Sequence, residues 1–408
     1  MKKSFTIRPG PYKYNNITQP VSSNKREKRV DTIKVFDFVN SIFGETMHLK
    51  RVGSIADAAI GLLTAEELIL HKMGAGLAAA MGLDKKHTTK QIDRLLSNKK
   101  FDIWQESGIW ASHIIGDRKE IMVSMDWTDF DADGQSTIAI NLLTEHGRAT
   151  PLLWKTVNKS TIKNNRARYE DQILSKLKGI VPSAVRVTIL ADRGFADQLF
   201  FKFISEQLGF FYIIRTRSNI NISNQKGIMK LAKEWLNIDG RIKTLSKSTV
   251  TEDRYPVEKF VCTKQKGMKD AWYLVSNREE LSGSQMVKFY GKRWTIEPYF
   301  RDIKNQRFGM GLSETHIGTP ERRDRLLFIS AIVIALLTIL GAAGESIGFD
   351  RKLKVNTVKT RTHSLLNQGI YYYKCFNNFK AHEQDALLIV FNELLVIQPY
   401  WTELLLSI

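Results

Sequence analysis

Cysteine is nearly absent from this chain. Cys262 and Cys375 are the two present, with no paired spacing, which argues against a disulfide framework or a zinc site and for a reducing compartment. Acidic side chains are scarce too: 42 Asp and Glu stand against 61 Lys and Arg, a net charge of +19. A surplus of that size favours a polyanionic partner held by counterion release, although an unspecific basic surface gives the same total. The eight histidines show no pairing at ligand spacing, and His113, His146 and His316 read as structural or exposed. Internal repeats and low-complexity segments are missing. The N-terminus is basic and polar without an apolar signal segment, so a cytoplasmic location is expected. One long uncharged run exists, residues 326–344, and its 19 residues meet the length of a bilayer span. Ser330, Thr338 and Gly341 interrupt it, so a buried core helix and no membrane contact are expected. At 408 residues the chain can hold two to four units, each with its own core.

What is present is concentrated in one stretch, Tyr290-Gly-Lys-Arg-Trp-Thr-Ile-Glu-Pro-Tyr-Phe-Arg-Asp-Ile-Lys304. Tyr290, Arg293, Glu297 and Lys304 fall within roughly a 60° arc of one helix face at about 100° per residue. A carboxylate ringed by a phenol, a guanidinium and an ammonium suits a phosphodiester beside a metal ion. A solvated helix face can carry the same residues. Two acids far upstream add weight: Asp126 follows the apolar run 121–125, and Asp192 follows 185–191, each read as the end of a strand. Between them, 136–143 and 149–157 read as strands joined by a turn at His146-Gly147, and 169–177 as a helix. A helix over 196–208 and a strand over 210–214 follow. This order is the plan of a ribonuclease-H-like core, in which the three acids would converge at one sheet edge. Phosphodiester chemistry uses such a trio to hold two divalent ions about 3.5–4 Å apart. Without cations the acids repel one another, and at least one pKa rises.

The sequence resembles bacterial insertion-sequence transposases of the cut-and-paste, hairpin-forming DDE family. The resemblance rests on Asp126-Trp-Thr-Asp129, on Ala191-Asp-Arg-Gly-Phe195, and on the tyrosine–arginine–glutamate–lysine spacing of residues 290–304. Gly309-Met-Gly-Leu312 and Asn356-Thr-Val358 also match family positions, and the similarity runs from about residue 49 to about 373. It implies Asp126, Asp192 and Glu297 as catalytic metal ligands for two Mg²⁺ ions, with Mn²⁺ as a substitute. It further implies Tyr290, Arg293, Arg301 and Lys304 as DNA contacts, and Trp272 as the indole that stacks on a flipped base. A buried strand tryptophan is the plain alternative for Trp272. Pro298 departs from a regular helix, so a kink or restart is expected beside Glu297.

The flanks carry further expectations. Residues 1–30 hold eight Lys or Arg against one acid and read as a basic flexible arm. Residues 31–115 read as a helical DNA-binding domain, with helices over 32–42 and 54–71. Within 82–96 a cap at Thr88 or Thr89 opens a helix with Lys90 and Arg94 outward and Ile92, Leu95 and Leu96 inward. By resemblance this region binds terminal inverted repeats; an ordinary amphipathic helix fits the spacing equally. The catalytic core is expected over 116–345, with a β-rich insertion at about 215–277 because 104 residues separate Asp192 from Glu297. Segments 249–263 and 272–276 alternate there in the manner of strands. Residues 346–408 read as a helical region in which 388–396 and 404–408 recur at helical spacing, and by resemblance it pairs two protomers. Asp129-Phe-Asp-Ala-Asp-Gly134 imitates a calcium loop, but Ile140 stands where the loop needs Glu; a solvated turn is expected, with Asp129 a reserve metal ligand.

The fold class expected is therefore α/β, a ribonuclease-H-like core with a β-rich insertion between helical N-terminal and C-terminal regions. The expected function is a DNA transposase acting on double-stranded inverted-repeat ends and target DNA as a homodimer, nucleoid-associated when bound. A ribonuclease-H-like nuclease or resolvase and a catalytically inactive DNA-binding repressor remain as alternatives.

Overall fold

A computed structural model describes residues 32–305 and 309–396; the basic arm and the apolar stretch at 404–408 lie outside them. Five helices come first: α1 (Thr32–Phe43), α2 (Leu49–Ala65), α3 (Leu70–Met81), α4 (Lys85–Ser97) and α5 (Ile103–Ile115). Val35, Phe38, Val39 and Ile42 recur at helical spacing on α1 and are buried, as are Val52, Ile55, Ala59 and Leu62 on α2. The single helix expected over 54–71 is broken at Glu66, whose φ of 59° closes α2 in the left-handed region. Its amide donates to Leu62 O at 2.7 Å, and Leu68 N reaches across to Met310 O at 2.8 Å. The cap expected at Thr88 or Thr89 belongs instead to Asp84, which accepts from His87 N at 2.8 Å. Thr88 is a full turn inside α4, and its buried hydroxyl donates to Gly74 O of α3 at 2.7 Å.

Ten strands form one sheet in the order β3-β2-β1-β4-β5-β10-β9-β8-β6-β7. They are β1 (Glu120–Phe130), β2 (Gln135–Leu142), β3 (Thr150–Asn158), β4 (Arg186–Ala191), β5 (Phe211–Arg215), β6 (Asn221–Ser223), β7 (Met229–Leu231), β8 (Lys243–Val250), β9 (Tyr255–Thr263) and β10 (Trp272–Ser276). β1, β2 and β3 are antiparallel, while β4 runs parallel to β1 and β5 parallel to β4. Short α6 (Lys159–Ile162) and α7 (Arg166–Ile180) join β3 to β4. Between β4 and β5, the helix read over 196–208 is α8 (Gln198–Lys202) running into a wider π-turn at Phe203–Gln207. Residues 215–277 are β-rich and continue the same sheet, because β10 pairs with β5. The segment 249–263 is a hairpin instead of one strand: β8 ends at Val250 and turns through Thr251 and Arg254, both at positive φ, into β9.

The third acid comes on α9 (Gly283–Lys292) and α10 (Ile296–Lys304), separated by a 3-10 turn at Arg293–Thr295. The apolar run lies in α11 (Pro320–Ser346), buried along 326–344. Among the described residues it is one helix long and apolar enough to span a membrane. Here it packs against β3, α2, α12 (Leu365–Lys374) and α13 (Ala381–Val396). α11 and α12 approach so closely that a Cβ on Gly341 or Gly369 would strike the facing backbone.

Candidate functional site

Two adjacent parallel strands of unequal reach create the site. β4 stops at Ala191 opposite Met125, while β1 continues beside β2 as far as Phe130 opposite Gln135. Asp126 is thus the first residue of β1 beyond the end of β4, and Asp192 is the first residue after β4. The expectation that Asp126 ends its strand is corrected: it lies inside β1, at the point where one of that strand's two neighbours stops. Parallel neighbours lie about 4.8 Å apart, and the crevice beyond their carboxyl ends is where open α/β sheets bind ligands. Asp192 Oδ1 accepts from Gly194 N at 2.8 Å, which fixes the turn that follows. Burial raises the Asp126 pKa, Arg293 lowers it and the neighbouring Asp192 raises it further, leaving it above the ordinary carboxylate value.

The expected single helix face is also corrected. Tyr290 lies in the last turn of α9, Arg293 opens the 3-10 turn, and Glu297 and Lys304 lie on α10. Pro298 sits in the first turn of α10, where its missing amide leaves no bond unmade, and the change of winding falls at the carbonyl of Trp294 that its ring would otherwise meet. The helix restart expected beside Glu297 thus falls just before it, at Ile296. A capping box between Ser282 and Gln285 starts α9, which packs against β5 and β9.

Arg293 connects the parts. Its Nη1 donates to Asp126 Oδ2 at 3.0 Å, and its Nη2 lies 3.9 Å from Glu297 Oε1. Because one planar guanidinium makes both contacts, the two carboxylates stand within about 10 Å of each other. Burial works against this guanidinium's charge, but Tyr290, Asp126 and Asp192 together lift its pKa. Tyr290 is buried, and its ring meets the edge of Trp272, 5.0 Å away between centroids. Trp272 itself is half-buried at the start of β10. Lys304 reaches the same strand two residues further on, donating to Thr128 Oγ1 at 3.2 Å and Asp129 O at 2.6 Å. Burial depresses its pKa, against the pull of Asp129 and Asp131. Arg301 is exposed, its guanidinium 3.9 Å from Asp302. Lys90 and Arg94 are exposed on α4, apart from the residues that contact the acids.

Asp129 does not join the trio. One residue's difference in parity turns it to the other face of β1, where it pairs with Lys159 at 3.0 Å. It lies in the strand, and the turn after it is a 3-10 turn at Asp131–Asp133 whose Asp133 is held by Arg323 and His316. His316 is exposed, His113 half-buried and His146 buried. Among the described residues no group of three or more His, Cys, Asp or Glu is spaced to hold a metal ion, and Arg293 stands between Asp126 and Glu297.

Three residues at the site, Arg166, Glu170 and Trp294, have no role assigned from the sequence. Arg166 lies 5.6 Å from the Trp127 ring and 5.5 Å from that of Phe195, and its Nε donates to Glu170 at 2.8 Å. Glu170 also accepts from Trp127 Nε1 at 2.9 Å, so α7 is fastened to the strand that carries Asp126. The i, i+4 spacing of Arg166 and Glu170 was the available signal. Trp294 presents a 60% exposed ring beside Arg293.

The family model described as the transposase DDE domain matches residues 118–336, a stretch running from just before β1 into α11. No curated protein matches the chain. With more than half its length matched to that domain, and with Asp126, Asp192 and Glu297 gathered about Arg293 inside the matched stretch, this chain belongs to the DDE transposase family.

Proposed function

We propose that this transposase excises its element by cut-and-paste through a DNA hairpin and joins the freed ends to target DNA. One observation carries the reading: Asp126 within β1 and Asp192 just after β4 stand side by side where β4 stops, and a single guanidinium ties Asp126 to Glu297. The antiparallel trio β1–β3 followed by parallel β4 and β5 supports a ribonuclease-H-like core. In the same reading, residues 1–30 are a DNA-contacting arm and 31–115 bind the terminal inverted repeats, with Lys90 and Arg94 among the contacts. Residues 116–345 form the core, and 346–408 pair two protomers in a cytoplasmic, DNA-bound dimer.

The donor chemistry fits Mg²⁺, with Mn²⁺ as a substitute. Three carboxylates from three elements offer hard oxygen ligands, and the Asp126–Asp192 pair places negative charge at a partly buried spot that Arg293 now offsets. Two ions held by Asp126, Asp192 and Glu297 would polarise the phosphodiester and lower the pKa of an attacking water or hydroxyl. The chain's own residues then orient the DNA. Arg293 is already stretched between two carboxylates, and a phosphate is a planar-fork partner of the same kind. Tyr290 supports Arg293 from the buried side, and Lys304 and Arg301 extend the basic line along α10. Trp272 offers an indole to a base displaced when the hairpin bends.

The test is incubation of a duplex carrying the element's end with the protein and Mg²⁺. Hairpin ends followed by joined products are expected; nicks without hairpins would favour a simple nuclease. Cleavage that survives Asp192→Asn while binding persists would end the enzymatic assignment.

A further inference from the structure

The turn between β2 and β3 does more than reverse the chain. Residues 145–149 hold α9, α10 and the 3-10 turn between them at three points. Lys292 Nζ, at the end of α9, donates to Glu145 Oε1 at 2.5 Å. Ala149 N donates to Thr295 O, in the 3-10 turn, at 3.3 Å. Arg148 Nε donates to Asp302 Oδ2, near the end of α10, at 2.5 Å, and the two side chains are only 11% and 8% exposed. The three contacts straddle the break in winding. The turn is itself seated against the start of α12. Arg361 Nη1 donates to Glu145 O and Leu365 N to His146 O, each at 3.3 Å. Gly147, at a φ of 92°, lies so close to Ser364 that a Cβ there would stand 3.2 Å from the serine Cβ.

We infer that Arg148 is a positioning residue for Glu297: it clasps α10 on the side away from the acids and so sets where the third carboxylate meets a divalent cation. This role presupposes the metal site proposed for the three acids. Little holds the Glu297 side chain directly, since it is 55% exposed and its ion pair with Arg293 is 3.9 Å long. Its place is set by the backbone of α10, a nine-residue helix that α9 does not align because the winding changes between them. Ile296, Tyr299 and Ile303 bury the helix, but apolar packing is non-directional, and the ion pair supplies the register. Asp302 lies five residues beyond Glu297, about 7.5 Å further along the axis and about 140° around it. A grip there fixes both the height and the rotation of α10 without touching the acids. Arg301, the other cation beside Asp302, belongs to the same helix, so that pair adds no tether. Arg148 stands two residues before β3, whose neighbour β2 is wholly buried and pairs with β1. The clasp thus refers Glu297 to the same sheet that carries Asp126.

The test measures Mn²⁺ binding to the full chain without DNA, from the electron paramagnetic resonance signal of the free ion, beside the Mg²⁺ dependence of cleavage of an end-bearing duplex. Arg148→Gln should weaken Mn²⁺ binding about tenfold and raise the Mg²⁺ concentration for half-maximal cleavage by about the same factor. Arg148→Lys, which keeps a charge for Asp302, should recover binding to within about threefold of wild type. In a Glu297→Gln background Arg148→Gln should cost nothing further, because the ligand it places is gone. Losses that add in that double variant would make Arg148 a general stabiliser and overturn the inference. So would cleavage lowered equally at every Mg²⁺ concentration with Mn²⁺ affinity unchanged. Should Arg148→Gln not fold, Asp302→Asn opens the clasp from its other side and carries the same expectations. Normal Mn²⁺ binding and cleavage by the wild type, with Arg148→Gln indistinguishable from it, would overturn the clasp and leave the transposase reading intact. Wild-type protein that neither bound Mn²⁺ nor cut the duplex would defeat the metal reading itself, and the clasp with it.

Discussion

The two halves of the sheet differ in kind. From β3 to β5 the strands are almost wholly buried: every residue of β2 is covered, and β4 is buried from Val187 to Ala191. α7 lies against β2 and β3, while α10 lies against β1, from which Asp126 and Thr128 reach Arg293 and Lys304. From β9 to β7 the strands are short or alternate in exposure, and Met229 and Lys230 of β7 face solvent. Asp126 and Asp192 belong to the covered half, where packing on both faces fixes the backbone to which a carboxylate is attached. Trp272 begins β10, at the seam between the halves, and leans on Tyr290. Positional rigidity and solvent access are thus divided between two parts of a continuous sheet.

The largest expected effect falls at the end of the covered half. Asp126→Asn should lower cleavage of end-bearing DNA at least a thousandfold, a barrier increase of about 4 kcal/mol, with anisotropy-measured binding retained. A smaller contrast separates the halves by stability. Ile189→Ala in fully buried β4 should cost about 2–5 kcal/mol in urea unfolding, whereas Leu245→Ala on half-exposed β8 should cost under about 1 kcal/mol. Equal losses would erase the distinction drawn between them.

The turn between β2 and β3 gives a pH test of the same half. Burial drives the His146 pKa from 6.5 to about 3. Its folded-state pKa is depressed, so its stabilising contribution is present above pH 6.5 and is lost as pH falls from there toward the folded value. Wild-type protein should therefore lose about 1–2 kcal/mol more than His146→Gln between pH 7 and pH 5, read from urea midpoints at each pH. Parallel pH profiles would remove His146 as the cause. At the seam, Trp272→Ala should slow hairpin formation by about tenfold while leaving the first nick unchanged. A first nick slowed equally would make Trp272 a packing residue of Tyr290.

Much of this architecture was legible because burial on both faces writes continuous apolar runs, as at 121–125 and 185–191, and because the offsets from Tyr290 to Lys304 are helical. The errors share a physical origin in partners distant along the chain. Asp126 reads as a strand end because polar residues follow it, yet β2 carries the ladder on to Phe130. The helix over 54–71 breaks at Glu66 because Leu68 is claimed by Met310. Thr88 resembles a cap until its hydroxyl is found bonded to Gly74, and Arg166 acquires its place only when Trp127 and Phe195 close around it. Local pattern supplied the elements, and tertiary pairing decided where they stopped.

The most direct measurement of the central claim is cleavage by Asp126→Asn, Asp192→Asn and Glu297→Gln singly and by the triple variant, on one end-bearing duplex with Mg²⁺. If the three carboxylates act as one unit, each single substitution abolishes cleavage to the level of the triple. A single variant that keeps cleavage within about tenfold of wild type would contradict the account.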